Sequence, residues 1–140
     1  TVKKNKENNI KLYNFGLSNE NKRSKMSCSL IKPGINSLTL DLSEKSNIVH
    51  RDVELKTLDS LNLTNISFIK VDIERHELYF LEGAKNTLIN NNATVILEIP
   101  CRDEKEIKFH NKCVELMKSY GYIFYKKIFD KDYVFRKEEF

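Results

Sequence analysis

No glycine-rich loop occurs in this sequence. Its four glycines, Gly16, Gly34, Gly83 and Gly121, stand alone, whereas a phosphate- or cofactor-cradling turn needs several close together. Cysteine is equally sparse. Cys28, Cys101 and Cys113 are odd in number and have no C-x-x-C spacing. That argues against a disulfide framework and a structural zinc site, and suits buried or incidental thiols in a reducing compartment. No apolar run approaches the ~20 residues a membrane span requires. The opening TVKKNKENN is too polar for a signal peptide, and Thr1 in place of methionine leads us to expect residues upstream. No arginine-rich arm is present. The net charge of +4 comes from lysines scattered among asparagines and acids. A solvated surface is expected from it rather than a nucleic-acid footprint, and no membrane contact.

What is present suits one cytoplasmic domain, 1–140: 40% hydrophobic and 31% charged residues, enough for a core and a wet surface. NNIKLYNFGLS predicts a strand over 10–15 ending at Gly16. The polar segment 18–25 reads as a loop. Pro33-Gly34 signals a turn before alternating Leu38, Leu40 and Leu42. IVHRDVELKTL alternates as a half-exposed, antiparallel strand. Residues 66–73 are nearly continuous in apolar character, as in a strand covered on both faces. Leu78, Leu81, Ala84 or Lys85, Leu88 and Ile89 then recur at helical spacing, with Gly83 inside. ATVILEIP, 93–100, is a second continuous strand. A second helix is predicted over about 104–120, with Phe109, Cys113, Leu116 or Met117 and Tyr120 on one face and Gly121 as its stop. YIFYKKI and DYVFR close the chain as two strands.

Alternating strands and helices predict an α/β fold with a parallel core, in which ligands bind at the carboxyl ends of the strands. That accounts for the ionisable cluster in FIKVDIERHELYF. Asp72 and Glu74 close one central strand and Glu98 and Pro100 the next. Glu74 and Glu77 also suit the first turn of the following helix, with Glu77 read as structural. His76 is a candidate general base, because its ordinary pKa lies near neutrality. Asp72 and Glu98 across one cleft could share a proton or hold a divalent cation. Asp59 reads as a loop cap, and His50 and His110 as surface or helix-face residues.

VELKTLDSL, ISFIKVDIERHELYFLEGAKNTL and ATVILEI together resemble the C-terminal half of FkbM-type methyltransferases. The matching positions are Thr57-Leu58-Asp59, Lys70-Val71-Asp72-Ile73-Glu74, Glu77, Leu81, Gly83-Ala84 and Glu98. IKLYNFGLS is similar to the family's third strand. The resemblance implies a Rossmann-like, mostly parallel sheet with a closing antiparallel strand pair, lacking the first βαβ unit. It also implies S-adenosylmethionine as cofactor, bordered by Gly16, Leu17 and Glu74, and methyl transfer to a hydroxyl of a small-molecule or glycan acceptor. Asp72, His76 and Glu98 would orient or deprotonate that acceptor, and no resident metal is expected. The family's glycine after D-V-E is Arg75 here, expected in ordinary right-handed backbone and paired with Glu74 or Asp72. Without strands one and two, the strand over 66–73 should pair with 10–15, be completed by upstream residues, or join a symmetric homodimer through its exposed edge. The alternative reading is a non-catalytic interaction module derived from a truncated methyltransferase.

Overall fold

The computed structural model describes residues 9–30, 36–38 and 47–138. The Pro33-Gly34 turn and Leu40 and Leu42 lie outside the described residues. Two four-stranded sheets carry the fold. In the first, β1 (Gly16–Leu17), β2 (Lys22–Ser29), β3 (Asn36–Ser37) and β4 (Ile48–Lys56) lie in the order β1-β4-β2-β3. In the second, β5 (Phe68–Val71), β6 (Thr94–Glu98), β7 (Tyr122–Ile128) and β8 (Asp132–Lys137) lie in the order β5-β6-β8-β7. A 3-10 turn (Asp59–Leu61) connects the sheets. Helices α1 (Glu77–Glu82), α2 (Lys85–Asn90) and α3 (Glu104–Ser119) complete the order. No helix among the described residues is long and apolar enough to cross a membrane.

The class is α/β, but the described sheets are not mostly parallel. Only β1 with β4 and β5 with β6 run parallel. The pairs β2–β3, β2–β4, β6–β8 and β7–β8 are antiparallel. Much of the departure lies in 18–25, which is not a loop throughout. β2 begins at Lys22 and pairs with β4 from Lys22↔Leu55 to Ser29↔Ile48. Its composition hides this, because most of its face is wet and only Cys28 is buried. The ladder to β4, not hydrophobic patterning, selects the extended backbone. Conversely, residues 10–14 form no strand. Ile10, Leu12 and Tyr13 are exposed, and the pairing with β4 begins only at Gly16.

The strand expected at the sheet's centre, β5, is an edge. It pairs with β6, and no described strand pairs with its other side; residues 10–15 do not fill that place. Its burial is correspondingly uneven, with Val71 at 3% exposure and Phe68 at 56%. β6 is the buried centre, where Val95, Leu97 and Ile99 are all at 0%. They pack with Phe80, Leu81, Leu88, Cys113, Met117 and Phe135 in one core. The second predicted helix is α3, capped by Asp103, whose side chain accepts from Glu106 N–H, and stopped at Gly121 with φ +84. Cys113 lies inside the core, and burial pushes its thiol up to about 12, so it is inert as a nucleophile.

The helix predicted across 78–89 is two short ones, broken at Gly83-Ala84. Two contacts explain the break. The Ser18 backbone presses on Gly83. Asp59 reaches the start of α2 from the 3-10 turn, accepting from Asn86 N–H at 2.9 Å and Thr87 N–H at 2.7 Å. The aspartate of T-L-D is therefore a helix cap supplied from a distance. Asp59→Ala is expected to lower unfolding free energy by about 1–2 kcal/mol. Urea denaturation checks this, and an unchanged midpoint would show that water caps α2 equally well.

Candidate functional site

The carboxyl ends of β5 and β6 and the β7–β8 turn surround a cleft of about 580 Å³. Glu74, Glu77, Glu98, Asp130 and Asp132 bring carboxylates to its lining, and Arg75, Arg102 and Lys131 bring cations. Asp72 lies beside it, close enough to Glu98 for the two charges to act on each other. Register explains the convergence. Glu98 ends β6 opposite Asp132 of antiparallel β8, while Asp72 follows the end of parallel β5. Lys70 spans the group, at 2.6 Å from Asp132, 3.5 Å from Glu98 and 4.0 Å from Asp72. Lys131 pairs with Glu98.

This geometry separates the two carboxyl groups. Partial burial and then the Glu98 charge push Asp72 above its ordinary value. Burial also opposes ionisation of Glu98, but the hydrogen bond from Lys131 and the charges of Lys131 and Lys70 outweigh it and hold Glu98 below its ordinary value. Of the two carboxyl groups, Asp72 is therefore the one that takes a proton first.

A second feature is the turn at 72–76. Glu74 and Arg75 both have positive φ, 52 and 70. This corrects the expectation of right-handed backbone at Arg75. The cause is Glu77. Its side chain is buried and its Oε1 accepts from the N–H groups of Ile73 and Arg75, each at 3.3 Å. Turning those two donors onto one oxygen requires the left-handed residues, at about 1–3 kcal/mol of strain each. Burial raises the Glu77 pKa despite these bonds, and Oε2 has no hydrogen-bond partner among the described residues. The Arg75 guanidinium takes a partner the sequence did not suggest. It bonds Glu106 at 2.5 Å.

Glu106 is the anchor of this wall. It accepts from Arg102 N–H at 2.8 Å, Arg102 Nε at 3.1 Å and Arg102 Nη2 at 2.8 Å. Those hydrogen bonds outweigh desolvation and, with the Arg75 charge, hold its carboxyl at about 2. A depressed carboxyl stabilises the fold above its unfolded value and loses that contribution as pH falls through its folded value. Wild type should therefore lose more stability than Glu106→Gln between about pH 5 and pH 2. Parallel denaturation curves across that window would show the clamp to be inert.

The structure brings Glu74 and Glu98 into this cleft, sets Asp72 beside it, and leaves other expected site residues elsewhere. His76 is buried, with Nε2 at 2.9 Å from Ser18 Oγ and its ring stacked on Tyr79 at 4.7 Å. Burial and then Lys22 lower its pKa. Gly16 and Leu17 lie in β1 and do not line the cleft. A Cβ on Gly16 would stand 2.8 Å from Leu55 Cδ2, so that space is occupied by packing. Among the described residues, no cluster of three or more His, Cys, Asp or Glu side chains is arranged to hold a metal. Sequence reasoning missed Lys70, Asp132, Glu106 and the cleft-facing Glu77. Glu77 carried a readable signal, as the last acid of D-x-E-x-x-E, and Lys70 one as the first residue of the matched strand-end motif, whereas Asp132 and Glu106 carried none.

Fold and site together define an α/β protein with a carboxylate-lined cleft at the ends of two parallel strands. A family model described as the methyltransferase FkbM domain matches residues 2–124. The chain belongs to the FkbM methyltransferase family. No curated protein and no solved structure matches it.

Proposed function

We propose that this protein is an S-adenosylmethionine-dependent O-methyltransferase and that the cleft receives the hydroxyl of a sugar or small metabolite. The observation that carries the reading is the pair of carboxylates at the strand ends beside the cleft, Asp72 and Glu98, gathered at 4.0 and 3.5 Å from Lys70. The parallel pair β5/β6 beside the antiparallel pair β8/β7 supports a Rossmann-like arrangement. The residues expected to border the cofactor fit it incompletely. Glu74 lines the cleft, Gly16 is filled by Leu55, and no described glycines form a cradle. This chain should therefore bind S-adenosylmethionine weakly by itself.

The chemistry lies on the acceptor. A hydroxyl loses its proton as it becomes an ether. Glu98, ionised and fixed by Lys131, accepts the hydroxyl hydrogen bond and orients the oxygen. The proton then passes into the carboxyl pair, where Asp72 holds it. Lys70 keeps the pair from repelling itself apart. His76 stays a candidate base only if the Ser18 contact opens.

Transfer of label from S-adenosylmethionine to a panel of hydroxylated acceptors tests the reading. Wild type should transfer, and Glu98→Gln should transfer roughly 10²-fold less. Equal rates would remove Glu98 from the reaction. A non-catalytic interaction module is the second reading, favoured by the isolated glycines and by Arg75. Absence of any transfer by a folded protein would select it. A homodimer through the free edge of β5 belongs to the same proposal, and sedimentation velocity checks it.

A further inference from the structure

A second groove, of about 480 Å³, lies between α1 and α3 and differs in charge from the first. Its polar lining is Arg75, Lys105, Lys108 and Lys112, and no carboxylate belongs to it. Tyr79 and Phe109 supply flat apolar faces. The three lysines recur at i, i+3 and i+7 on α3, so they stand along one helix face. None forms an ion pair with a described carboxylate. Like charges in register disfavour a helix, and Glu104 and Glu115, at neighbouring helical positions, close no ion pair with them. Arg75 lines both grooves, held by Glu106 on a left-handed backbone.

We propose that this basic groove binds the phosphate or diphosphate group of the acceptor whose hydroxyl enters the carboxylate cleft. The inference rests on the proposed function for the hydroxyl end, while the anion site stands on its own geometry. Lysine ammonium groups bind phosphate as point charges, and Arg75 adds a directed donor where the two grooves meet. The lysines span roughly 10 Å along the helix. That length fits one diphosphate-sized anion better than a nucleic-acid backbone, which needs a longer basic track. A planar group attached to the phosphate would rest on Tyr79 or Phe109. The acceptor is thereby orientated at both ends: anionic group on the lysines, hydroxyl on Asp72 and Glu98.

The test needs no methyl donor. The protein is titrated calorimetrically with inorganic pyrophosphate and with adenosine diphosphate at low salt. Both should bind, and tighter binding of the nucleotide would support stacking on the aromatic faces. Lys108→Glu/Lys112→Glu should weaken both at least tenfold with an unchanged melting curve. Lys126→Glu/Lys127→Glu, on β7, should leave them unaltered. No binding of either anion, equal loss in both double variants, or binding confined to oligonucleotides would overturn the proposal. Methyl transfer without anion binding would sink this inference alone. Anion binding without methyl transfer would sink the enzymatic reading and leave the anion site.

Discussion

Gly83→Ala is expected to lower unfolding free energy by about 3 kcal/mol or more, among the largest effects of any conservative change in this chain. The reason is space and not backbone freedom. Gly83 has φ −84, which any residue adopts. A Cβ there, however, would stand 2.0 Å from the Ser18 carbonyl oxygen and 2.9 Å from its carbon. Neither is the end of a flexible side chain. Three bonds fix that backbone: Ser18 N–H to Lys56 O at 2.9 Å, Ser18 Oγ with His76 Nε2 at 2.9 Å, and Asn19 Nδ2 to Glu82 at 2.9 Å. Relieving the clash must move the first sheet away from α1 and break some of them. Gly121→Ala gives the contrast. Nothing lies near its Cβ, but its φ is +84, so about 1 kcal/mol from left-handed geometry is expected. Chemical denaturation of the two variants separates the causes. Equal small losses would mean that the Ser18 approach is not a constraint.

Asp72→Asn should reduce turnover by roughly 10²-fold with little change in melting temperature. Asparagine keeps the size of the side chain but cannot take the acceptor's proton. Because Asp72 is raised and Glu98 lowered, the rate of wild type should fall at acid pH as the pair fills with protons. That limb should shift downward in Asp72→Asn, where Glu98 titrates without a partner carboxylate. A pH–rate profile reads both effects. Near-full activity with the same acid limb would make Asp72 a strand-end residue with no part in the reaction.

The two predictions rest on features of different legibility. Asp72 and Glu98 were readable because each follows an apolar run, and the ends of parallel strands collect functional groups. The α3 helix was readable from its apolar spacing and its Gly121 stop, while its Asp103 cap emerged only in the structure. Glu77 was visible as an acid but not as a buried one. Its burial depends on two backbone donors from a turn whose left-handed residues, Glu74 and Arg75, carry side chains that disfavour that geometry. Lys70 and Asp132 were invisible as partners, being sixty-two positions apart and joined only by the β6–β8 register.

The sequence by itself determined the α/β class, the family, the two parallel strands with their acidic ends, and the long third helix. These follow from local periodicity and short motifs, which are properties of neighbours along the chain. Only the tertiary structure decided that 22–29 is a strand, that β5 is an edge, that Asp59 caps a distant helix, and that Gly83 breaks one helix into two. It alone set His76 against Ser18 and gathered Lys105, Lys108 and Lys112 beside Arg75. Each of these depends on a ladder, a close backbone approach or an electrostatic field between segments remote in sequence, and no local pattern encodes such distances.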